Sequence, residues 1–201
     1  MLALALLAVA CTRSSAPAAR AADDQAVYAV VLDSLYIHAP RPAGSGQVTL
    51  VVLAARTRPE LATISSAADL ARDAPRDLLA AYISASRTNT LLEPPPGFAV
   101  PCRILARRME SELFPGSLRL NSRAPDPFAP FVAEWKAFYH RYPGSAGIAA
   151  LSPVGFDRTR SWALVGFHRT WSFGNSEGYL VLLRRTAAGW RIVRTAMVSV
   201  V

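Results

Sequence analysis

The spacing of apolar positions changes several times along this chain. Residues 2–10 are an unbroken run of Leu, Ala and Val, well short of the ~20 apolar residues with which a helix crosses a bilayer. Residues 11–23 are small or polar, and a stretch so poor in large apolar groups reads as a flexible tether. From 25 to 36, Val27, Val30, Val31 and Leu35 fall at helical spacing, with Asp23 or Asp24 placed to cap an amphipathic helix. A Pro- and Gly-containing loop covers 40–46, and the β-branched density of 47–53 predicts a buried strand. Leu78, Leu79, Tyr82 and Ile83 share one face of a helix predicted over 75–86. The run Pro94-Pro95-Pro96-Gly97 then breaks regular structure, and Pro101 confines a strand over 98–105 to a sheet edge.

The most regular segment is 128–142. Phe128, Phe131, Val132, Trp135, Phe138, Tyr139 and Tyr142 recur every three or four residues, an aromatic stripe that predicts a core-facing helix ending before Pro143-Gly144. Glu134, Ala137 and Arg141 are assigned to its opposite side. From 148 the period shortens to two, giving strands at 148–156, 162–168, 179–185 and 190–198. Strands joined by short turns make a meander, and helices preceding it make an α+β fold. The expected architecture is helices packed on a C-terminal antiparallel meander of about four strands. Residues 24–201 have the length of one domain, and 52% hydrophobic against 18% charged residues suits a sizeable core.

The N-terminal run gives the chain an address. Ala8-Val9-Ala10-Cys11 puts small residues three and one before the cysteine, so residues 1–10 read as a signal peptide cleaved before Cys11. The segment resembles the lipobox of bacterial lipoproteins, which implies a diacylated Cys11 and attachment to the membrane through that lipid anchor, with the domain facing the periplasm. Ala8 stands where that pattern prefers Leu, and no basic residue precedes the run. Thr12-Arg13 lacks the Asp of the inner-membrane retention signal, which points toward the outer membrane. Lipidation of Cys11 would leave Cys102 without a disulfide partner, a small buried hydrophobe.

A net charge of +8 raises nucleic acid as a partner, but the distribution argues against it. Lys136 is the only lysine, and the arginines are scattered. The densest groups, Arg103 with Arg107 and Arg108, and Arg184 with Arg185, are too small to track a nucleic-acid backbone. Attraction of such groups to anionic lipid headgroups stays open.

The tail carries Ser152-Pro153-Val154-Gly155-Phe156, Ala163-Leu164-Val165, Gly178-Tyr179-Leu180-Val181-Leu182-Leu183 and Gly189-Trp190. This series resembles a group of uncharacterised bacterial lipoproteins, and the resemblance implies a fold and an envelope location rather than an activity. Pro153 departs from the group's usual Arg, and the loop Trp171-Ser172-Phe173-Gly174-Asn175 lacks the cysteines often found there.

No catalytic motif stands out. His38, His140 and His168 are isolated, without HExxH or CxxC spacing, so neither a metal nor a cofactor is expected. His38 is placed to cap the first helix, and His140 reads as a solvated histidine. His168 ends a strand at the mouth of the longest meander loop, across from Glu177, where a His–carboxylate pair would serve either acid–base chemistry or a cross-strand contact. The candidate ligand loop is 169–178, with His168, Trp171, Phe173, Asn175 and Glu177 as its chemistry. A non-catalytic envelope module binding another envelope protein or a small ligand is the first reading, with a purely structural role beside it. The alternative is a cone-shaped fold like that of nuclear-transport-factor-like proteins, with a pocket for ligand binding or hydrolysis. An open pocket containing His168 or Asp157 favours that alternative; a filled core favours the others.

Overall fold

The computed structural model describes residues 16–39, 46–58, 64–115 and 126–200. The predicted signal peptide, Cys11 and most of the predicted loop at 40–46 lie outside the described residues. The first helix, α1 (Ala16–Leu32), begins well before the predicted start, so the part of the tether from residue 16 onward is helical. The reason is propensity: Ala16, Ala18, Ala19, Ala21 and Ala22 lack large apolar groups yet are the strongest helix formers, and Pro17 is tolerated in a first turn. Asp23 and Asp24 therefore lie within the helix and cap nothing. A π-helical turn, Asp33–Ile37, extends α1, and both the backbone N–H and Nδ1 of His38 meet the Asp33 carbonyl oxygen at 3.0 Å, closing the helix as expected.

After β1 (Leu50–Ala54) come α2 (Ile64–Leu70), α3 (Arg76–Ala85), β2 (Cys102–Leu105), α4 (Arg107–Leu113) and α5 (Ala129–Arg141). The tail supplies β3 (Ser145–Leu151), β4 (Gly155–Phe156), β5 (Trp162–Ser172), β6 (Asn175–Thr186) and β7 (Gly189–Val200). All seven strands share one sheet in the order β2-β1-β3-β5-β6-β7, with β4 also pairing β5. The fold is α+β, and β3, β5, β6 and β7 form the expected antiparallel meander. The sheet as a whole is mixed, because β1 runs parallel to both β2 and β3. The edge strand β2 begins just after Pro101, which has no N–H to donate but whose carbonyl accepts the Val51 N–H at 2.9 Å.

The predicted strand at 148–156 is broken in two. Pro153 has no donor for the ladder, and the Ser152 hydroxyl oxygen takes over by accepting the Gly166 N–H at 2.7 Å. The chain kinks there before β4 resumes pairing. On one sheet face, α1 and its π turn cover Val51, Leu53, Ala149, Leu151, Val165, Phe167 and Val181. Two buried tyrosines fix that packing, Tyr28 donating to the Ser152 carbonyl at 3.2 Å and Tyr36 to the Gly147 carbonyl at 2.5 Å. Gly147, at φ +105, allows the strand to pass there: a Cβ would stand 2.2 Å from the Thr170 carbonyl oxygen. The other face is covered in two pieces. α2 and α3 pack on Leu164, Leu180 and Leu182, while α4 and α5 pack on Val52, Leu105 and Ile148.

Candidate functional site

Beside α4 and α5, Ala150 on β3 and His168 on β5 face each other in register, followed by Ile148 and Thr170, and this strip forms the floor of an open cleft of about 600 Å³. Pockets of roughly 300–1,000 Å³ suit small molecules. α4 and α5 make the walls, with Phe114 and Trp135 packed at 5.0 Å and Trp135 set edge-on to Phe138 at 5.2 Å. The β5–β6 hairpin closes one end, its Phe173 ring stacked 4.0 Å from Phe131. At the rim, Arg58 bridges to Glu110 at 2.9 Å, tying the segment after β1 to α4. Arg58 is placed by its own N–H, which donates to the Leu151 carbonyl at 2.8 Å.

The walls are thus aromatic and the floor and rim polar. His168 is half-buried, and its ring is held below the usual histidine range, first by burial and then by the Arg58 guanidinium, against an opposing pull from Glu177. It is neutral at pH 7, with one nitrogen able to donate and the other to accept. Its Nδ1 lies 3.4 Å from the Thr170 hydroxyl, and no carboxylate bonds to the ring among the described residues. Glu134, 9% exposed, also lines the cleft and is no outward-facing residue. The helical spacing gives the reason: Phe131, Glu134 and Phe138 fall three and four apart on the inward face.

The predicted ligand loop is not a loop. Strands β5 and β6 run on until Ser172 pairs with Asn175, leaving Phe173 and Gly174 as a tight turn, with Gly174 at φ +68. His168 pairs with Gly178 rather than Glu177, so the two expected partners point to opposite faces. Glu177 instead meets Arg169 at 2.7 Å, and the Arg169 guanidinium lies 5.1 Å over Trp171. Of the five residues in question, His168 and Phe173 line the cleft; Trp171 and Glu177 lie on the α1 side, and the Asn175 side chain bonds to Ser172 and Phe173 at the turn. Arg58, Glu110 and Trp135 complete the cleft without having been marked as site residues. Met109, Leu113 and Phe114, at helical spacing, are the signal for α4 and hence for Glu110.

The other titratable groups serve structure. Asp157 is buried, which pushes its carboxyl up, but hydrogen bonds from the Thr159 hydroxyl, the backbone N–H groups of Trp162 and Ser161 and the Ser161 hydroxyl outweigh this and hold it below the usual range. It therefore organises the turn before β5. Burial pushes the half-buried Cys102 thiol up to about 11, which leaves little thiolate at neutral pH. His140 is exposed, as its position off the stripe implies. Among the described residues no group of three or more His, Cys, Asp or Glu is placed to hold a metal, and no helix is long and apolar enough to cross a membrane. The chain matches no protein-family model, no curated protein and no solved structure.

Proposed function

We propose that this protein is a small-molecule-binding module of the cell envelope, held there by a lipid on Cys11, and that its ligand lies in the cleft between α5 and the sheet. The observation that carries this is His168: a neutral, half-buried histidine on the floor of a cleft of about 600 Å³, beside aromatic walls. The matching ligand is amphipathic. Its flat apolar body packs against Phe114, Phe131 and Trp135, and its polar end exchanges hydrogen bonds with His168 and Thr170. Binding is favoured over hydrolysis because the carboxylate that would orient His168 as a base, Glu177, is turned to the other face and engaged by Arg169. The envelope address draws on the Ala8-Val9-Ala10-Cys11 segment and on the resemblance of the tail to bacterial lipoproteins.

The test is a ligand-observed NMR screen of small aromatic amides and acids against the wild type and Ala150→Phe, which fills the cleft from its floor. Hits on the wild type that vanish with Ala150→Phe and weaken with His168→Ala, at unchanged thermal stability, are the expected result. Hits indifferent to both substitutions, or none on the wild type, would overturn the reading.

A further inference from the structure

The chain enters the domain beside the β6–β7 hairpin. Asp23, midway along α1, pairs with Arg160 at 2.9 Å and Arg185 at 3.3 Å, so this part of α1 is fixed at the end of the sheet where β6 turns into β7. That end presents unbalanced positive charge. Arg184 and Arg191 stand directly opposite each other in register, both exposed, and neither meets a carboxylate among the described residues. Like charges at facing positions weaken a strand pair, and an external anion shared between them offsets that repulsion. Of the acids around this end, Asp23 is engaged by Arg160 and Arg185, Asp73 by Arg194 at 3.2 Å, Asp77 by the Arg158 backbone N–H at 2.8 Å and Asp157 by its own turn, while Asp24 is partly buried near Arg20 and Arg160. Half-buried indoles support the arginines, with the Arg184 guanidinium 5.4 Å over Trp162 and that of Arg185 5.8 Å over Trp190.

Guanidinium groups favour phosphate, and amphipathic indole rings favour the headgroup layer. We infer that the β6–β7 hairpin end of the domain rests on an anionic phospholipid surface, with Arg184 and Arg191 on headgroup phosphates and Trp162, on the same sheet face, at the interface. The inference needs neither a ligand in the cleft nor the lipid on Cys11. It turns the β5–β6 hairpin, and the cleft beside it, away from the membrane.

The experiment uses the full chain carrying Cys11→Ser, so that no acyl chain contributes. Co-sedimentation is measured with vesicles of phosphatidylcholine alone and with equal parts phosphatidylcholine and phosphatidylglycerol. Preference for the anionic vesicles, lost as salt is raised, is expected. Each arginine near such a surface strengthens partitioning about five-fold, so Arg184→Gln/Arg191→Gln lowers it about twenty-five-fold. The pair Arg103→Gln/Arg108→Gln removes the same charge from β2 and α4 and leaves partitioning at the wild-type level. Equal binding to both vesicle types, or an equal fall in both variants, overturns the inference.

Discussion

The buried pair Arg169–Glu177 gives the sharpest energetic test of this structure. The two residues face each other across β5 and β6 at 2.7 Å, with side chains only 7% and 16% exposed. Glu177 also accepts the Tyr179 hydroxyl at 3.2 Å. Replacing the arginine alone, as Arg169→Met, preserves much of its volume but leaves a carboxylate without its cation on the buried side of the sheet. That costs about 3–5 kcal/mol, a large part of the roughly 5–15 kcal/mol that holds a domain together. Glu177→Gln keeps an acceptor for Tyr179 and strands the guanidinium instead, which still stacks on Trp171. The double variant strands neither charge, so it recovers much of the loss. Urea unfolding of the four proteins, followed by tryptophan fluorescence, closes the cycle, and a coupling of about 2–3 kcal/mol is expected. Additivity within about 0.5 kcal/mol would refute the pairing. A parallel cycle between His168 and Glu177, the partners suggested by the sequence, should show no such coupling.

Two further outcomes follow from particular residues. Burial raises the Asp24 carboxyl to about 6, with Arg20 and Arg160 pulling it down and Asp23 pushing it up. The folded pKa lies above the unfolded one, so stability falls as pH climbs from about 4 to about 6 and the full penalty persists above that window. Asp24→Asn should therefore raise thermal stability at pH 8, by about 1 kcal/mol after allowance for partial exposure, and leave it unchanged below pH 4; an equal effect at both pH values would contradict this. At Gly155, an added Cβ would stand 2.3 Å from the Tyr82 Cα and 2.5 Å from its N, both backbone atoms of α3. Gly155→Ala should cost about 1–3 kcal/mol or more in chemical denaturation, whereas Gly46→Ala, with open space around it, should stay within about 0.5 kcal/mol.

The meander and α5 were legible because their burial is one-sided and periodic. The aromatic stripe puts Phe131 and Phe138 in the core, although two of its expected core members, Phe128 and Val132, are exposed because Glu134 rather than Val132 shares the inward face; the alternation from Trp162 onward matches β5 and β6. Legibility failed where a strand is polar on both faces. Over residues 168–172, one side of β5 carries His168, Thr170 and Ser172 toward the cleft, and the other carries Arg169 and Trp171 toward the buried ion pair. Such a segment has no apolar alternation and reads as loop, so the expected loop at 169–178 is strand except for the turn at Phe173 and Gly174, and the expected His168–Glu177 contact differs from the observed pairing by one residue of register. Glu134 was readable in principle, since it shares the inward spacing of Phe131 and Phe138, yet an acidic residue on a core face contradicts the ordinary pattern and is assigned outward by it. The parallel pairing of β1 was not legible, because β-branched density carries no strand direction.

The placement of the cleft and of the basic hairpin is set by one element. α1 is fastened to the sheet near its middle by Asp23, toward its C-terminal end by Tyr28 and, through its π-helical extension, by Tyr36 at the start of β3. Its 17 residues span roughly 25 Å at the ordinary helical rise. Tyr36 also accepts the Ala146 N–H at 3.1 Å, so the far end of the helix is bonded to the strand that goes on to supply Ile148 and Ala150 to the cleft floor. A helix tied at three points works as a strut: it cannot swing relative to the sheet without breaking a buried hydrogen bond or ion pair. With the hairpin end on a membrane, that strut would hold the cleft toward the opposite end of the sheet from the lipid, Asp23 and Tyr36 being about 20 Å apart along the helix. On the proposed membrane placement, the aromatic surface of Phe114, Phe131 and Trp135 would be kept from the bilayer, which would otherwise compete for the same apolar contacts. The proposed amphipathic ligand would then reach the cleft through water rather than from within the lipid, in keeping with a site that pairs aromatic walls with a polar rim at Arg58 and Glu110.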